Sequence, residues 1–328
     1  MFHKIMDKIG IGMAIILLFI FLSFASPYFL DINNLFNILL QVSISTIIAV
    51  GMTFVILTGG IDLSVGPVTA FCSVIIGLTL HLQVGIGLAI LAGILTGGLL
   101  GLINGVVVAK MKVPAFIATL GMMSVARGAA LFITNGQTLH MFPDLYRFIS
   151  AGSIGKLPIP VVYSLLVVLL AWFILTYTKF GRYVYAVGGN REAVRLSGIN
   201  TTLVEMGVYV ISGITCGIGA VILTGRLNAA QPIAGVGYEL DAIAAVIIGG
   251  TSLAGGEGKI IGTLMGAILI GMLRNGLNLL NVSPFLQQII IGCVIVGAVF
   301  FDQYRREKKD LVTVKADKLE SNTANSAV

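Results

Sequence analysis

Polar side chains that interrupt the apolar stretches of this chain are its candidates for binding a solute. Amides and hydroxyls hydrogen bond to uncharged, hydroxyl-rich solutes, whereas ions and protons need carboxylates or opened carbonyl groups. No acidic residue lies near the middle of a long apolar stretch. The presence of amides and the lack of carboxylates within the helices favour a neutral polar solute. Hydrogen bonding between helices is nevertheless the commoner use of each amide. The candidates for a substrate pathway or gate are Gln41, Asp62, Ser64, Asn104, Glu239, Asp241, Asn275 and Asn278.

Catalytic and metal-binding patterns do not appear in the sequence. The three histidines lie at ends or in loops and form no recognisable constellation. Residues 255–260 resemble a phosphate-binding loop, but Ile260 replaces the required Ser or Thr. Small buried thiols, without CxxC spacing, are predicted at Cys72, Cys216 and Cys293. We therefore expect no catalytic residues, metal or cofactor, and energy from an ion gradient or a separate subunit.

The segment from Thr58 to Pro67 interrupts the chain between two apolar stretches. Its glycines allow a turn, and Pro67 suits the first turn of a following helix. Asp62 and Ser64 could cap that helix or contribute to a gate, and one residue could do both. Residues 231–241 are the counterpart in the second half, where two further carboxylates raise the same alternatives.

Composition identifies an integral membrane protein. Apolar residues make up 57% of the 328 and charged residues 10%, and the mean hydropathy is +1.02. Soluble domains carry roughly a quarter charged residues. The net charge of +6 does not indicate nucleic acid, because the positive residues lie in short loops where they set topology. Two exceptions, Arg127 and Arg274, fall within helices near a surface and are interpreted as snorkelling to it.

Ten apolar stretches could form membrane elements. The first is interpreted as a transmembrane helix and not as a cleaved signal, because it is long and lacks a good cleavage site. The eighth is too short to span alone, which predicts a broken or re-entrant element. The stretches are about 9–30, 35–57, 65–82, 84–109, 113–134, 158–178, 201–223, 239–250, 259–280 and 284–301. Glycines at spacing four, such as Gly93 and Gly97, or Gly262 and Gly266, predict close helix packing.

The distribution of positive charge gives an orientation. With the N-terminus in the cytoplasm, fifteen of the 20 lysines and arginines lie in inward loops or the C-terminal tail. That bias follows the positive-inside rule and predicts that both termini are cytoplasmic. Residues 302–328 are expected to form a charged, disordered cytoplasmic tail, leaving 1–301 as the transmembrane domain.

The sequence repeats itself in order. The string VILTG at 55–59 returns at 221–225, and VIIG at 74–77 returns at 246–249. Asn104-Gly105 returns as Asn275-Gly276, also at an offset near 170 residues. Each copy holds five elements, an odd number, so the second copy enters the membrane from the opposite side. The sequence therefore predicts two inverted five-helix repeats, about 9–134 and 158–301, with the solute path between them.

Residues 179–200 form the largest predicted cytoplasmic loop. Asn190 can cap a short helix that begins at Arg191, with Glu192 in its favoured first turn and Gly198 at its end. Apolar residues give this helix one apolar side. Two interpretations remain open: a helix lying on lipid, or a docking helix for a cytoplasmic partner.

Seven strings together resemble the permease subunit of ABC sugar importers, in the ribose-type branch, over nearly all of residues 10–301. They are NNLFNIL (33–39), VILTGGIDLSVG (55–66), GRYVYAVGGN (181–190), RLSGIN (195–200), AQP (230–232), GYELDAIAA (237–245) and GGTSLAGG (249–256). Departures are slight: Asn228 stands where serine is common, and Glu257 where a basic residue is common.

The resemblance implies a type II ABC importer-like fold and a homodimeric permease in the cell inner membrane. It further implies a cytoplasmic ATPase subunit and a periplasmic sugar-binding protein as partners, with ribose as first choice of sugar. Glu192, Ala193 and Gly198 match the family's docking element. The implied ATPase-coupling residues are Gly189, Asn190, Arg191, Glu192, Ala193, Arg195 and Gly198. The alternative is an ion-coupled secondary sugar carrier, which also uses inverted five-helix repeats.

Overall fold

The computed structural model describes residues 2–155, 157–300 and 303, and for residues 2–9 the backbone alone. Its helices are α1 (Phe2–Ala25), α2 (Ile32–Leu57), α3 (Val65–His81), α4 (Ile86–Gly105), α5 (Ala115–Thr134), α6 (Asp144–Ala151), α7 (Ile159–Tyr177), α8 (Lys179–Leu196), α9 (Thr201–Leu227), α10 (Tyr238–Ile248), α11 (Ile260–Leu279) and α12 (Pro284–Phe300). A π-helical turn, Val106–Lys110, extends α4. Apart from residue 303, the tail expected at 302–328 lies outside the described residues.

Four strands of two residues form two antiparallel ribbons. β1 (Leu139–His140) pairs with β4 (Ala229–Ala230), and β2 (Ser153–Ile154) pairs with β3 (Leu157–Pro158). The first ribbon joins the segment after α5 to the segment after α9, so it links the two halves of the chain.

Among the described residues, six helices are long and apolar enough to span a membrane: α2, α4 with its π turn, α5, α7, α9 and α11. Shorter apolar helices lie at Gly10–Ala25, Val65–His81 and Pro284–Phe300. Every one of the ten predicted stretches is helical, which confirms a helical, multi-pass membrane protein. α10 has 11 residues and is about 16 Å long, roughly half of the hydrocarbon core, so it is short as predicted.

Two helices lie outside the ten stretches. α6 is short and buries only one face, through Tyr146 and Ser150. Its sequence therefore contains no continuous apolar run from which the helix could be predicted. α8 begins before residue 191 and includes the helix that was predicted to start there. Because α7 alone separates α6 from α8, these helices mark opposite ends of the bundle, called here the α6 end and the α8 end.

Helix packing is close enough for backbones to touch. A Cβ at Gly97 of α4 would overlap the Gly213 carbonyl of α9, and a Cβ at Gly266 of α11 would overlap the Ala245 carbonyl of α10. The predicted role of small residues in packing is therefore confirmed. It follows from physics, since lipid gives helices no hydrophobic drive to associate and dispersion contacts must replace it.

The packing partners form matched sets. α4 packs on α9 and α11 packs on α2, while α3 packs on α9 and α10 packs on α2. α3 also packs on α4 as α10 packs on α11, and α2 and α9 meet at the centre. Exchanging α2, α3 and α4 with α9, α10 and α11 leaves these pairings unchanged.

The cysteines divide into two groups. Cys72 and Cys216 are buried, as predicted, in the core around α2 and α9. Cys293 is exposed on α12, so the prediction of a buried thiol is wrong there. The reason is position: most residues of α12 are exposed or partly exposed, because this helix lies at the edge of the bundle.

Candidate functional site

The first break, residues 58–64 between α2 and α3, contains a buried carboxylate. Asp62 is 2% exposed. Its Oδ1 accepts from the Ser64 amide at 3.0 Å and from the Ser64 hydroxyl at 2.6 Å, and its Oδ2 accepts from the Ser212 hydroxyl at 2.8 Å. Asn104 Nδ2 donates to Ser64 Oγ at 2.9 Å. These four residues are called the Asp62 cluster; three of them were predicted from the sequence, and Ser212 was not.

The Asp62 cluster ties three helices together. A buried carboxylate is unstable unless hydrogen bonds replace its hydration, and here three donors do so. Asp62 makes a local turn with the Ser64 amide before α3, but neither residue caps the helix, because the N-cap Ser64 makes no side-chain cap bond. Asp62 also bonds to α9 in the second half. Ser212 was missed because a helical serine or threonine usually bonds the carbonyl four residues back, as Thr53 and Ser73 do.

One arginine holds the second break, residues 228–237 before α10, and another holds the first turn of α10. Arg127 Nη1 donates to the Pro232 carbonyl at 2.6 Å and to the Ala234 carbonyl at 2.9 Å. Arg274 Nη2 donates to Asp241 Oδ1 at 2.8 Å. The snorkelling interpretation is therefore wrong for both arginines, since each has strong acceptors on a neighbouring element.

Glu239 differs from every other predicted carboxylate. Its Oε1 accepts from the Gly237 amide at 3.3 Å. Its Oε2 is buried and has no hydrogen-bond partner among the described residues. This oxygen is therefore an acceptor without a donor among the described residues, with the positive charge of Arg127 nearby.

The second break touches the start of α3, just after the first break. Gly235 of the second break has φ of +71 and lies so close to α3 that a Cβ there would come to 2.6 Å from the Gly66 carbonyl oxygen. A Cβ at Gly66 would in turn come to 2.5 Å from Glu239 Oε2. The start of α3, just after the Asp62 cluster, therefore faces Glu239 at the contact between the two halves of the chain.

The remaining predicted pathway residues lie elsewhere. Asn275 and Asn34 form a reciprocal amide pair between α11 and α2, at 2.8 and 3.2 Å. Asn278 Oδ1 accepts from Gln287 Nε2 of α12 at 2.8 Å. Gln41 is partly buried on α2. Both asparagines join helices to each other, which was the commoner use expected for such amides.

The predicted coupling helix has the predicted cap. α8 is interrupted at Asn190, whose φ of −157° and ψ of 94° are not helical. The Ala193 amide donates to Asn190 Oδ1 at 2.9 Å, and Gly198 ends the helix with φ of +82. The cap at Asn190 and the end at Gly198 are thus confirmed. Residues 190–198 are called the coupling segment.

The coupling segment presents an exposed surface at the α8 end. Leu196 is 74% exposed. Arg195 donates two hydrogen bonds to Glu192, at 3.0 and 2.5 Å, and these hold the pKa of the Glu192 carboxyl below its usual range. Arg191 donates to Glu205 of α9 at 3.0 Å. One charged pair thus anchors the segment to the bundle, while the other remains on its free face.

Comparison with known proteins gives the family. The sequence model of a protein family, described as the permease component of branched-chain amino acid transport systems, matches residues 34–299. The chain belongs to this permease family. The ribose import permease RbsC of Escherichia coli K12 is 46% identical over 297 residues, 89% of this chain and 92% of that one.

Other members of the permease family are also similar over most of their length. RbsC of Haemophilus influenzae is 47% identical over 300 residues, 90% of this chain and 93% of that one. The D-allose permease AlsC of Escherichia coli K12 is 40% identical over 300 residues, 90% and 92%. The comparison with solved structures found no match. The expected family resemblance is confirmed.

Proposed function

We propose that this chain is the membrane-spanning permease subunit of an ATP-driven importer that translocates ribose. The observation that carries the proposal is its similarity to proteins named ribose import permeases, at 45–47% identity over about nine tenths of both chains. The allose and arabinose permeases match at 40% and 35–36%. The ion-coupled carrier is less well supported, because the buried Asp62 carboxylate is already satisfied by three donors.

The transmembrane domain, residues 1–301, consists of two inverted five-helix repeats, about 9–134 and 158–301, as in type II importers. The matched packing of α2, α3 and α4 with α9, α10 and α11 supports this division. The N-terminus, the C-terminus and the α8 end face the cytoplasm, and the α6 end faces the periplasm across the inner membrane. The distribution of Lys and Arg supports this orientation.

The sugar passes where the second break meets the start of α3, beside the first break. The contact of Gly66 with Gly235 lies between the repeats, with the Asp62 cluster on one side and Glu239 and Asp241 on the other. The unused Glu239 oxygen supports a role in the path, because carboxylates accept hydrogen bonds from hydroxyl-rich solutes.

The partners follow the same arrangement. A cytoplasmic ATPase subunit docks on Gly189 and the coupling segment, whose exposure at the α8 end supports a docking role. ATP hydrolysis belongs to that subunit. A periplasmic sugar-binding protein delivers ribose at the α6 end, and a second copy of the chain completes the permease within the lipid bilayer.

Ribose uptake into proteoliposomes tests the proposal. The chain is reconstituted with its ATPase subunit and binding protein, and labelled ribose is supplied with ATP, without ATP, and with an ionophore that dissipates ion gradients. We expect uptake that requires ATP, survives the ionophore and exceeds uptake of allose and arabinose. Uptake that continues without ATP and stops with the ionophore would establish the secondary carrier instead.

A further inference from the structure

Three backbone segments meet without intervening side chains at the α8 end. The Gly256 amide donates to the Leu57 carbonyl at 2.9 Å, which joins the loop after α10 to the last turn of α2. Gly188 of α8 lies against both groups, so closely that a Cβ there would overlap the Leu57 oxygen and the Gly256 nitrogen. Residues 57–59, 188–189 and 255–256 are called the glycine junction.

The backbone conformation of the junction requires glycine. Gly59, Gly255 and Gly256 have φ of +79, +87 and +75, a region that other residues rarely adopt. A Cβ at Gly255 would come to 2.9 Å from the Gly59 nitrogen, and one at Gly256 to 3.0 Å from the Gly189 nitrogen. Close approach thus selects glycine at 188, backbone conformation selects it at 59, and both select it at 255 and 256.

Each segment of the junction leads to a different functional element. Residue 189 is followed directly by the kink at Asn190 and the coupling segment. Residue 59 lies in the first break, three residues before Asp62. Residues 255–256 follow α10, whose opposite end begins at the second break. The coupling segment is therefore adjacent, at one place, to elements of both repeats.

Backbone contacts transmit displacement better than side-chain contacts do. A side chain can absorb movement by changing rotamer, whereas packed backbones have no such freedom and shift together between discrete arrangements. A further contact strengthens the connection: Tyr185 of α8 donates its hydroxyl to the Gly258 carbonyl at 3.0 Å. Movement of the coupling segment would thus reach α2, the first break and α10 together.

We propose that the glycine junction transmits movement of the coupling segment to both breaks, and that Gly188 is the positioning residue that makes this possible. The inference rests on the proposed function, since it assigns a route between ATPase docking and the sugar path. It predicts that docking and transport can be separated by a substitution at the junction.

The test uses the full complex in proteoliposomes, with co-purification of the ATPase subunit, ATP hydrolysis and uptake of labelled ribose measured on the same preparation. Gly188→Ala should co-purify with the ATPase and retain ATP hydrolysis but lose ribose uptake about tenfold or more, because the added methyl displaces α8 from α2. Gly87→Ala is the matched control, since Gly87 is exposed and a Cβ there meets nothing within 4 Å. It should resemble the wild type.

Unchanged uptake per ATP hydrolysed in Gly188→Ala would overturn the inference, and so would loss of ATPase co-purification. Should Gly188→Ala fail to insert, Tyr185→Phe decides. Loss of one hydrogen bond should lower uptake per ATP by roughly two- to tenfold, and no change would overturn the inference. If wild type with its ATPase takes up no ribose, the proposed function fails, which is a separate result.

Discussion

The two breaks occupy corresponding places in the two halves of the chain but are held by different chemistry. In the first, the Asp62 carboxylate is 2% exposed and accepts only from neutral hydroxyl and amide groups. In the second break and the first turn of α10 that follows it, Arg127 and Arg274 supply the donors, and Glu239 keeps one oxygen without a partner among the described residues. Both oxygens of Asp62 thus have donors within the protein, whereas one oxygen of Glu239 has none among the described residues.

This difference bears on how the two breaks respond to movement. Short serine side chains hold a carboxylate only at a fixed separation of helices, whereas a long arginine can follow an acceptor that moves. We infer that the first break is an anchor between the two halves of the chain and that the second is the adjustable side of the proposed path. The predictions below distinguish these two roles by comparing variants at the two breaks.

Asp62→Ala should have the largest effect on stability. It leaves the hydroxyls of Ser64 and Ser212 buried without their acceptor, so we expect the free energy of unfolding to fall by about 3 kcal/mol. Denaturant unfolding in detergent micelles measures this value, and ribose uptake should fall in step with the amount of folded protein.

The matched control is Asp31→Ala. Asp31 is exposed, and its carboxylate accepts from the Asn33 amide at the start of α2, so loss of this carboxylate should cost about 1 kcal/mol. If Asp62→Ala lost ribose uptake with unaltered stability, the result would contradict the anchoring role of Asp62 and assign this residue to the solute path.

Arg274→Ala should have the second largest effect on stability. It leaves the Asp241 carboxylate buried without its partner, but the Arg274 side chain is 25% exposed, so we expect a loss of about 2 kcal/mol, less than for a fully buried pair. Adding Asp241→Asn should recover most of this loss, because the unpaired charge is removed. Denaturant unfolding of both variants checks this, with the exposed Arg226→Ala as the control. Equal losses of unfolding free energy in the single and double variants would show that the ion pair is not the cause.

The sequence was most informative where a local rule applies. Asn190 has the side chain and Gly198 the flexibility that a helix start and end require, and both were placed correctly because capping depends on residues a few positions apart. The short α10 followed from counting apolar residues. These predictions needed no knowledge of which helices are neighbours.

Contacts between distant segments could not be predicted in the same way. Ser212 reaches Asp62 across 150 residues, and Arg127 reaches Pro232 across 105. Each side chain has a satisfactory local alternative, a helix carbonyl for the serine and the membrane surface for the arginine. Only the packing of α9 and α5 beside the breaks makes the distant partner the better one.

Glu239→Gln should have the smallest effect on stability and a clear effect on transport. Glutamine keeps an acceptor for the Gly237 amide, so we expect the free energy of unfolding to change by less than about 0.5 kcal/mol. It replaces the unused oxygen with an NH2 group, which cannot accept from a sugar hydroxyl. Because this variant loses one hydrogen bond to a charged group, we expect its ribose uptake to fall by about tenfold.

Asp31→Asn makes the same chemical change at an exposed carboxylate and should leave uptake unaltered. Parallel losses of stability and uptake in Glu239→Gln would make Glu239 an anchor like Asp62 and remove the contrast between the breaks. Wild-type uptake would exclude Glu239 from the path. A loss of uptake alone assigns solute contact to Glu239, because both oxygens of the Asp62 carboxylate already accept hydrogen bonds from within the protein.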